Sequence, residues 1–444
     1  VTPPAQRAAL ERIFRAAVAA ADPGAALRRE VRARGDGALL LAGEALGPGV
    51  PLHVLAVGKA AAPMARALDE IAGRRIAAGL LIAKPGRAAA PAGWTALEAA
   101  HPIPDATSER AGRRALRFAA ETPPGGVLVV LLSGGASSLM ACPRAGLTLE
   151  ELSATTRALL AAGAAIDELN TVRKHLAAVA GGRLAAAAGG ARVRVLAVSD
   201  VAGDRIDLIG SGPCAADPSR SADALAVLDR RLPADRVPAA VRAHLAAGEG
   251  EERGRGPDAG SPADRVRHLL LAGNATALDG ARDAAVREGL APILVARELA
   301  GEARRAGARL AALGVAVRSA QPVCLIAGGE TTVTVRGAGR GGRSQELALA
   351  AAEVLAGHDS VCLLAAGTDG EDGPTDAAGA FADGATLTRA RERKLDARAA
   401  LAANDAWGFF EREGGLLRTG PTGTNVRDLV LVAVQPPGAP IPSR

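Results

Sequence analysis

The chain has 444 residues, more than one hydrophobic core ordinarily organises, so two domains are expected; 49% hydrophobic and 23% charged residues describe a globular chain. The net charge of +6 is spread along the whole length. With 2% aromatics and no Tyr there are few platforms for stacked bases, which argues against a nucleic-acid partner.

Residues 5–20 predict an amphipathic helix, and the opening VTPPAQRAALERIF lacks the basic-then-apolar order of a signal peptide. LHVLAVGKA (52–60) predicts a buried strand entering a loop, with a helix from about Pro63, a favourable first-turn position. GLLIAKPG, TALEAAHPIPD, a helix over 108–120 and VLVVLLSGGASS (127–138) continue the pattern. Two helices are predicted across 148–188, the second ending at a double Gly, before VRVLAVSDVAGD (193–204) gives another strand and polar loop. GEGEERGRGPDAGSPADR (248–265) has no apolar period and is expected to be a linker or exposed loop. HLLLAGN, APILVARE, VCLIAGGETTVTVRG, VCLLAAGTDGEDGPTD and LVLVAV then alternate with helices. Such alternation predicts parallel α/β layering in two domains, 1–247 and 266–444, with a cleft between them. No apolar run of about 18 residues is present to cross a membrane. Cysteines 142, 214, 324 and 362 show no C-x-x-C spacing, Cys324 and Cys362 read as buried strand residues, and a cytoplasmic setting is expected.

Ligands of open α/β sheets sit beyond the carboxyl ends of the strands. Seven loops there are rich in Gly, Ser/Thr and Asp: VGKA (57–60), LLSGGASS (131–138), AVSDVAGD (197–204), AGGETT (327–332), GAGRGGRSQE (337–346), AAGTDGEDGPTD (365–376) and TGPTGTN (419–425). Small residues let backbone N–H groups approach an anion, so a polyanionic ligand is expected. Only four of the 53 basic residues are Lys, and Lys59 alone follows a strand and a Gly, a place for a compact point charge. Asp200 and Asp204, and Asp369, Glu371, Asp372 and Asp376, suit a hard cation such as Mg²⁺, although capping and loop solvation use the same residues. The six His show no zinc spacing. Ser137 lies outside any G-x-S-x-G, which argues against a hydrolase nucleophile. No G-x-x-x-x-G-K-[ST] occurs.

TTVTVRGAGRGGRSQEL (331–347) matches strand, G-x-G-x-x-G, helix, the dinucleotide fingerprint. Arg343 would crowd a pyrophosphate turn, and the next strand ends near Asp369, late for a ribose-binding acid. The loop is therefore expected to be an anion cradle with its guanidinium near a transferring phosphate.

VGKAAAPMA, HPIPDATS, LLSGGASSLM, LNTVRKHLAAVAGGRLA, VSDVAGDRIDLIGSGPCAADPS, AGNATAL, AGGETTVTVRGAGRGGRSQELALAAA, GTDGEDGPTDAAGA and TGPTGTNVRDLVLV occur in this order over roughly 5–435. Together they resemble the glycerate 2-kinase family, whose C-terminal region, about 321–435 here, is the MOFRL domain. Ala177 and Ala180 depart from its pattern, at positions expected on a helix surface. The resemblance implies a Rossmann-like three-layer N-terminal domain, a smaller α/β C-terminal domain and an active site in the interdomain cleft. It implies ATP- and Mg²⁺-dependent phosphorylation of D-glycerate to 2-phosphoglycerate, with Lys59 and Arg343 as the residues the family most depends on. Asp200 or Asp369 would hold Mg²⁺ or orient the attacking hydroxyl. Gly58, Ser133, Gly134, Gly135, Ser137, Gly328, Gly329, Glu330, Gly342 and Thr368 would cradle the nucleotide or substrate. Arg173 and Lys174 are candidates for the substrate carboxylate or a phosphate, and Asn425 for a ligand contact or its own turn. Members are also labelled hydroxypyruvate reductases, so an NAD(P)-dependent reductase is the alternative; a homodimer is one expected assembly.

Overall fold

Strands apolar on both faces need cover on both sides, and this requirement organises each half of the molecule. The computed structural model describes residues 3–254 and 265–436. The chain divides into two units, Pro23–Leu271 and a second made of residues up to Asp22 together with those from Ala272 onward.

The first unit opens with helix Pro23–Glu30, followed by a small antiparallel meander, β1 (Arg32–Ala33), β2 (Leu39–Leu41) and β3 (Glu44–Leu46). Its main sheet contains β4 (Leu52–Val57), β5 (Ile76–Ala83), β6 (Thr95–Glu98), β7 (Val127–Leu132), β8 (Arg192–Val198) and β9 (Val266–Ala272), in the order β6-β5-β4-β7-β8-β9. The β4–β5, β5–β6, β4–β7 and β7–β8 pairs are parallel. The chain winds outward from β4, returns, and winds the other way from β7, which is the expected doubly wound Rossmann-like order. Leu55, Val57, Val130 and Leu132 share an apolar cluster with Ala111, Ala115 and Phe118 of helix Ala106–Ala120. That helix starts at a capping box built on Asp105 and Ser108.

The second sheet runs β10 (Ala291–Leu299), β11 (Val323–Gly329), β15 (Asp428–Val434), β12 (Val361–Gly367), β13 (Gly379–Asp383), β14 (Leu416–Leu417). Here the expected parallel layering is corrected: only β10–β11 is parallel. No helix joins β12 to β13, so β13 returns antiparallel; β15, apolar after its first residue Asp428, enters between β11 and β12, antiparallel to both. Cys324 and Cys362 are buried in β11 and β12, as expected.

Three further expectations are corrected. Helix Pro3–Ala20 belongs with the C-terminal residues and packs on helix Asn274–Arg287, β12 and β15. Its buried stripe of Leu10, Ile13, Phe14 and Ala17 needs an apolar partner, and Gly280 admits it: a Cβ there would lie 2.5 Å from the Ala20 Cβ. Residues 248–254 of the expected linker continue helix Ala239–Gly254, whereas 255–264 lie outside the described residues. The two helices expected over 148–188 are three, Leu149–Ala161, Ile166–Leu176 and Arg183–Ala187. The break falls at Gly181 (φ +57°) and Gly182 (φ +80°), whose N–H groups donate to Ser211 and Gly212 carbonyls. Among the described residues no helix is long and apolar enough to cross a membrane.

Candidate active site

β4 and β7 are the strands at which the winding of the first sheet reverses, and their carboxyl ends flank the point where such folds bind ligands. The two strand-end turns are locked together there. The Lys59 N–H donates to the Gly134 carbonyl (2.9 Å), the Ala60 N–H to the Ser133 hydroxyl (3.0 Å), and the Ser133 N–H to the Val57 carbonyl (3.0 Å). Gly58 has φ +115°, and a Cβ on it would lie 2.5 Å from the Ser133 carbonyl oxygen, so only glycine lets the turns close. Asp200, at the end of β8, reaches the same turn: a Cβ on Gly134 would lie 1.8 Å from its Oδ2. Gly58, Lys59, Ser133, Gly134, Gly135 and Asp200 are therefore brought together at these strand ends. Ser133 is buried and spends its hydroxyl on the Lys59 turn, whereas the Ser137 hydroxyl has no hydrogen bond among the described residues. His101 also reaches this turn, a residue that sequence reasoning does not single out: its Nε2 lies 3.0 Å from where a Gly135 Cβ would sit. Its only signal is the motif HPIPD after β6.

The strand order is one that dinucleotide-binding folds use, yet the first turn reads Gly58-Lys59-Ala60-Ala61 and lacks the three glycines of that fingerprint. The match at 337–342 fails on context. Residues 331–336 form no strand beyond a single bridge, Glu302 to Thr332. The loop is not an open anion cradle either, which corrects the expectation for Gly342. Arg336 and Gly337 donate their N–H groups to Asn404 Oδ1, Gly339 donates to the Ala403 carbonyl and Arg340 to Asp405 Oδ1. The N-terminus of helix Arg343–Leu355 is capped by Asp372, which accepts from Ser344 N (3.1 Å) and Gln345 N (2.8 Å); a Gly342 Cβ would lie 2.2 Å from that carboxylate.

Arg343 itself is half-buried. Its Nε and Nη2 form a fork on Asp428 (2.5 and 3.0 Å), and its Nη1 bonds to Glu330. Burial pushes its pKa down, but the hydrogen bond and charge of Asp428, with Glu330 and Asp372, carry it above the ordinary value, so it stays charged. A guanidinium has five N–H donors. Three are engaged, and two have no acceptor among the described residues.

Asp372 carries a pH signature. Burial, then the Asp428 charge, raise its pKa from 3.8 to about 7, against the two capping N–H groups and Arg343. A carboxyl whose folded-state pKa lies above its unfolded value stabilises below the unfolded value and loses that contribution as pH rises through about 7. Asp372→Asn is expected to flatten this slope. Thermal unfolding at about pH 5 and about pH 8 measures it, and identical slopes in both proteins would exclude the assignment.

The remaining candidates separate. Gly328 and Gly329 are packed inside their unit, against Asn274 and the Leu299 backbone. Thr368 is buried, donating to the Arg427 carbonyl (2.6 Å) and accepting from Val426 N (2.9 Å). Asp369 is half-buried and accepts from Glu371 N (3.1 Å), and Asn425 is half-buried in the turn before β15. Among the described residues no three His, Cys, Asp or Glu side chains form a group able to hold a metal ion. Lys174 is 5% exposed and paired with Asp207 (3.1 Å) and Asp217 (3.6 Å), which occupies its charge within the protein. Its neighbour Arg173 has no side-chain hydrogen bond or ion pair among the described residues, and burial pushes its pKa down. Asn170, one turn earlier, accepts from the Ser211 hydroxyl (2.9 Å), and the adjacent Gly210 packs on Ala136. This helix face therefore lies beside the SGGASS loop.

A doubly wound sheet with a lysine at its reversal point, and a second α/β unit with an arginine gripped by carboxylates at a helix N-terminus, define a two-unit α/β protein. Residues 9–246 match a family model described as a domain of unknown function (DUF4147), and 323–428 match the MOFRL family. D-glycerate 2-kinase of Thermotoga maritima is 40% identical over 384 residues, covering 85% of this chain and 89% of the relative. Glycerate 2-kinase of Pyrococcus horikoshii is 36% identical, covering 95% and 96%. A protein of Agrobacterium vitis provisionally named hydroxypyruvate reductase is 39% identical, covering 96% and 94%. The crystal structure of Thermotoga maritima glycerate kinase superposes with a TM-score of 0.83 at 36% identity, covering 97% of this chain and all (100%) of that one. The chain belongs to the glycerate kinase family.

Proposed function

We propose that this chain transfers the γ-phosphoryl group of ATP to the 2-hydroxyl of D-glycerate, giving 2-phosphoglycerate and ADP. The observation that carries the reading is Lys59, set by its backbone in the glycine turn between β4 and β7, in a chain whose relatives are named glycerate kinases. The hydroxyl oxygen forms the new P–O bond as the bond from the γ-phosphorus to the β–γ bridging oxygen breaks, and the hydroxyl proton leaves to a base or to solvent. Such a transfer needs positioning and charge neutralisation more than covalent chemistry. Lys59 and Arg343 neutralise charge on the transferring group, and the Gly134–Gly135 turn with Ser137 contacts phosphate oxygens. Carboxylate oxygens suit Mg²⁺, which takes one or two of them together with phosphate oxygens. Asp200, lining the Gly134 turn, fits that partial set, with Asp369 as the candidate in the other unit. When bound, the ion neutralises β- and γ-phosphate charge.

Arg173 binds the glycerate carboxylate. Arg173→Ala is expected to raise KM for D-glycerate about tenfold or more, with a smaller change in kcat, as losing a charge-assisted hydrogen bond predicts. Steady-state kinetics measure it; unchanged KM with lowered kcat would contradict the role.

The reaction is tested by incubating the protein with MgATP and D-glycerate and coupling the product to enolase, which accepts 2-phosphoglycerate only. Signal without added phosphoglycerate mutase is expected. Signal only with the mutase would mean transfer to the 3-hydroxyl. No signal in either, with NADH consumed on hydroxypyruvate, would mean a reductase.

A further inference from the structure

We infer that Asp428 is the residue that positions Arg343 for phosphoryl transfer, an inference that rests on the role proposed for Arg343. Asp428 opens β15, and its Cα is in register with Gly329 of β11 on one side and Gly367 of β12 on the other. Neither neighbour carries a side chain, so the strand end presents the Asp428 carboxylate alone between them. The preceding backbone is clamped from three directions. Asn274 Nδ2 donates to the carbonyls of Val426 (2.7 Å) and Asp428 (3.3 Å). Thr368 Oγ1 accepts from Val426 N and donates to the Arg427 carbonyl. Arg427, in the left-handed region at φ +72°, is held by Glu298 (2.6 Å).

Clamping of this kind matters little to an exposed ion pair, whose two long side chains adjust to each other. It matters to a guanidinium whose direction has to be set, because a planar fork on a carboxylate fixes both its plane and its rotation. The Asp428 side chain is 9% exposed while that of Glu330 is 45% exposed, so Asp428 is the anchor and Glu330 the looser partner. The fork takes Nε and Nη2, which turns the opposite edge of the guanidinium, formed by Nη1 and Nη2, away from Asp428.

Wild type, Asp428→Asn, Arg343→Ala and the double variant decide the matter, using kcat and KM for MgATP and D-glycerate and far-ultraviolet circular dichroism. Asp428→Asn keeps the shape of the side chain and removes its charge, so the strand end has no cause to unfold. Added guanidinium chloride at low concentration provides a second readout on Arg343→Ala with and without Asp428→Asn. The expected result is a loss in kcat of about tenfold or more in Asp428→Asn, as misorientation of a group in the transition state costs. Both KM values stay within about twofold, and the double variant falls no further than Arg343→Ala, as for two residues acting through one contact. Guanidinium restores turnover to Arg343→Ala only where Asp428 is intact. If Arg343→Ala keeps wild-type turnover, the role of Arg343 fails and the inference falls with it. If Arg343→Ala is impaired but Asp428→Asn is not, or the two losses multiply in the double variant, the role of Arg343 stands and the positioning by Asp428 is overturned.

Discussion

Lys59→Ala is expected to lower kcat by about 10²-fold or more, and Arg343→Ala to do the same, because in the roles proposed for them each would remove charge stabilisation from the transition state. The Lys59 side chain can be deleted without dismantling its turn. The turn is held by backbone bonds from Lys59 N to the Gly134 carbonyl and from Ala60 N to Ser133, and by the closeness of Gly58 to Ser133. Circular dichroism of the variant is therefore expected to match wild type while turnover collapses. Lys59→Arg recovers only part of the loss, since a planar fork cannot take the place of a compact ammonium where two glycine turns close on each other. Turnover within about threefold of wild type in both alanine variants, a change too small for a transition-state contact, would refute the roles.

The largest expected effect on stability lies elsewhere, beneath helix Pro3–Ala20. Asp383 and Glu413 have fully buried side chains and face two arginines. Arg7 of that helix reaches Asp383 at 2.7 Å and Glu413 at 3.6 Å, while Arg389 reaches Asp383 at 3.0 Å and Glu413 at 2.7 Å. Burial raises the Asp383 pKa, but Arg7 and Arg389 win and hold it below the usual carboxylate value. Asp383→Ala leaves two guanidinium groups sharing one buried carboxylate. It also removes the acceptor for the Ala385 N–H (3.0 Å) at the start of helix Thr386–Glu392. A loss of about 3–5 kcal/mol is expected, the usual cost of breaking a buried pair from one side. Denaturant unfolding measures it, and a loss below about 1 kcal/mol, typical of an exposed pair, would show that the network contributes little.

Much of the molecule is legible in the amino-acid sequence alone. β4, β7, β8, β11, β12 and β15 are readable as apolar runs, and Lys59, Gly134 and Asp200 as strand-end residues, because strand character and turn chemistry are written in residues a few positions apart. The linear pattern of motifs is enough to point to the family. Tertiary structure alone decides what long-range partners do. Arg343 and Asp428 are 85 positions apart, Arg336 and Asn404 are 68, and Arg7 and Asp383 are 376. Those pairings close the GAGRGGR loop, which local chemistry makes look like a cradle, and they place the first helix in the C-terminal unit. Lys174 is likewise enclosed between aspartates by distant packing, while its neighbour Arg173 is left unpaired among the described residues. Local periodicity specifies which face of a segment seeks burial; which donor or carboxylate that face then meets is settled only when distant segments are packed together.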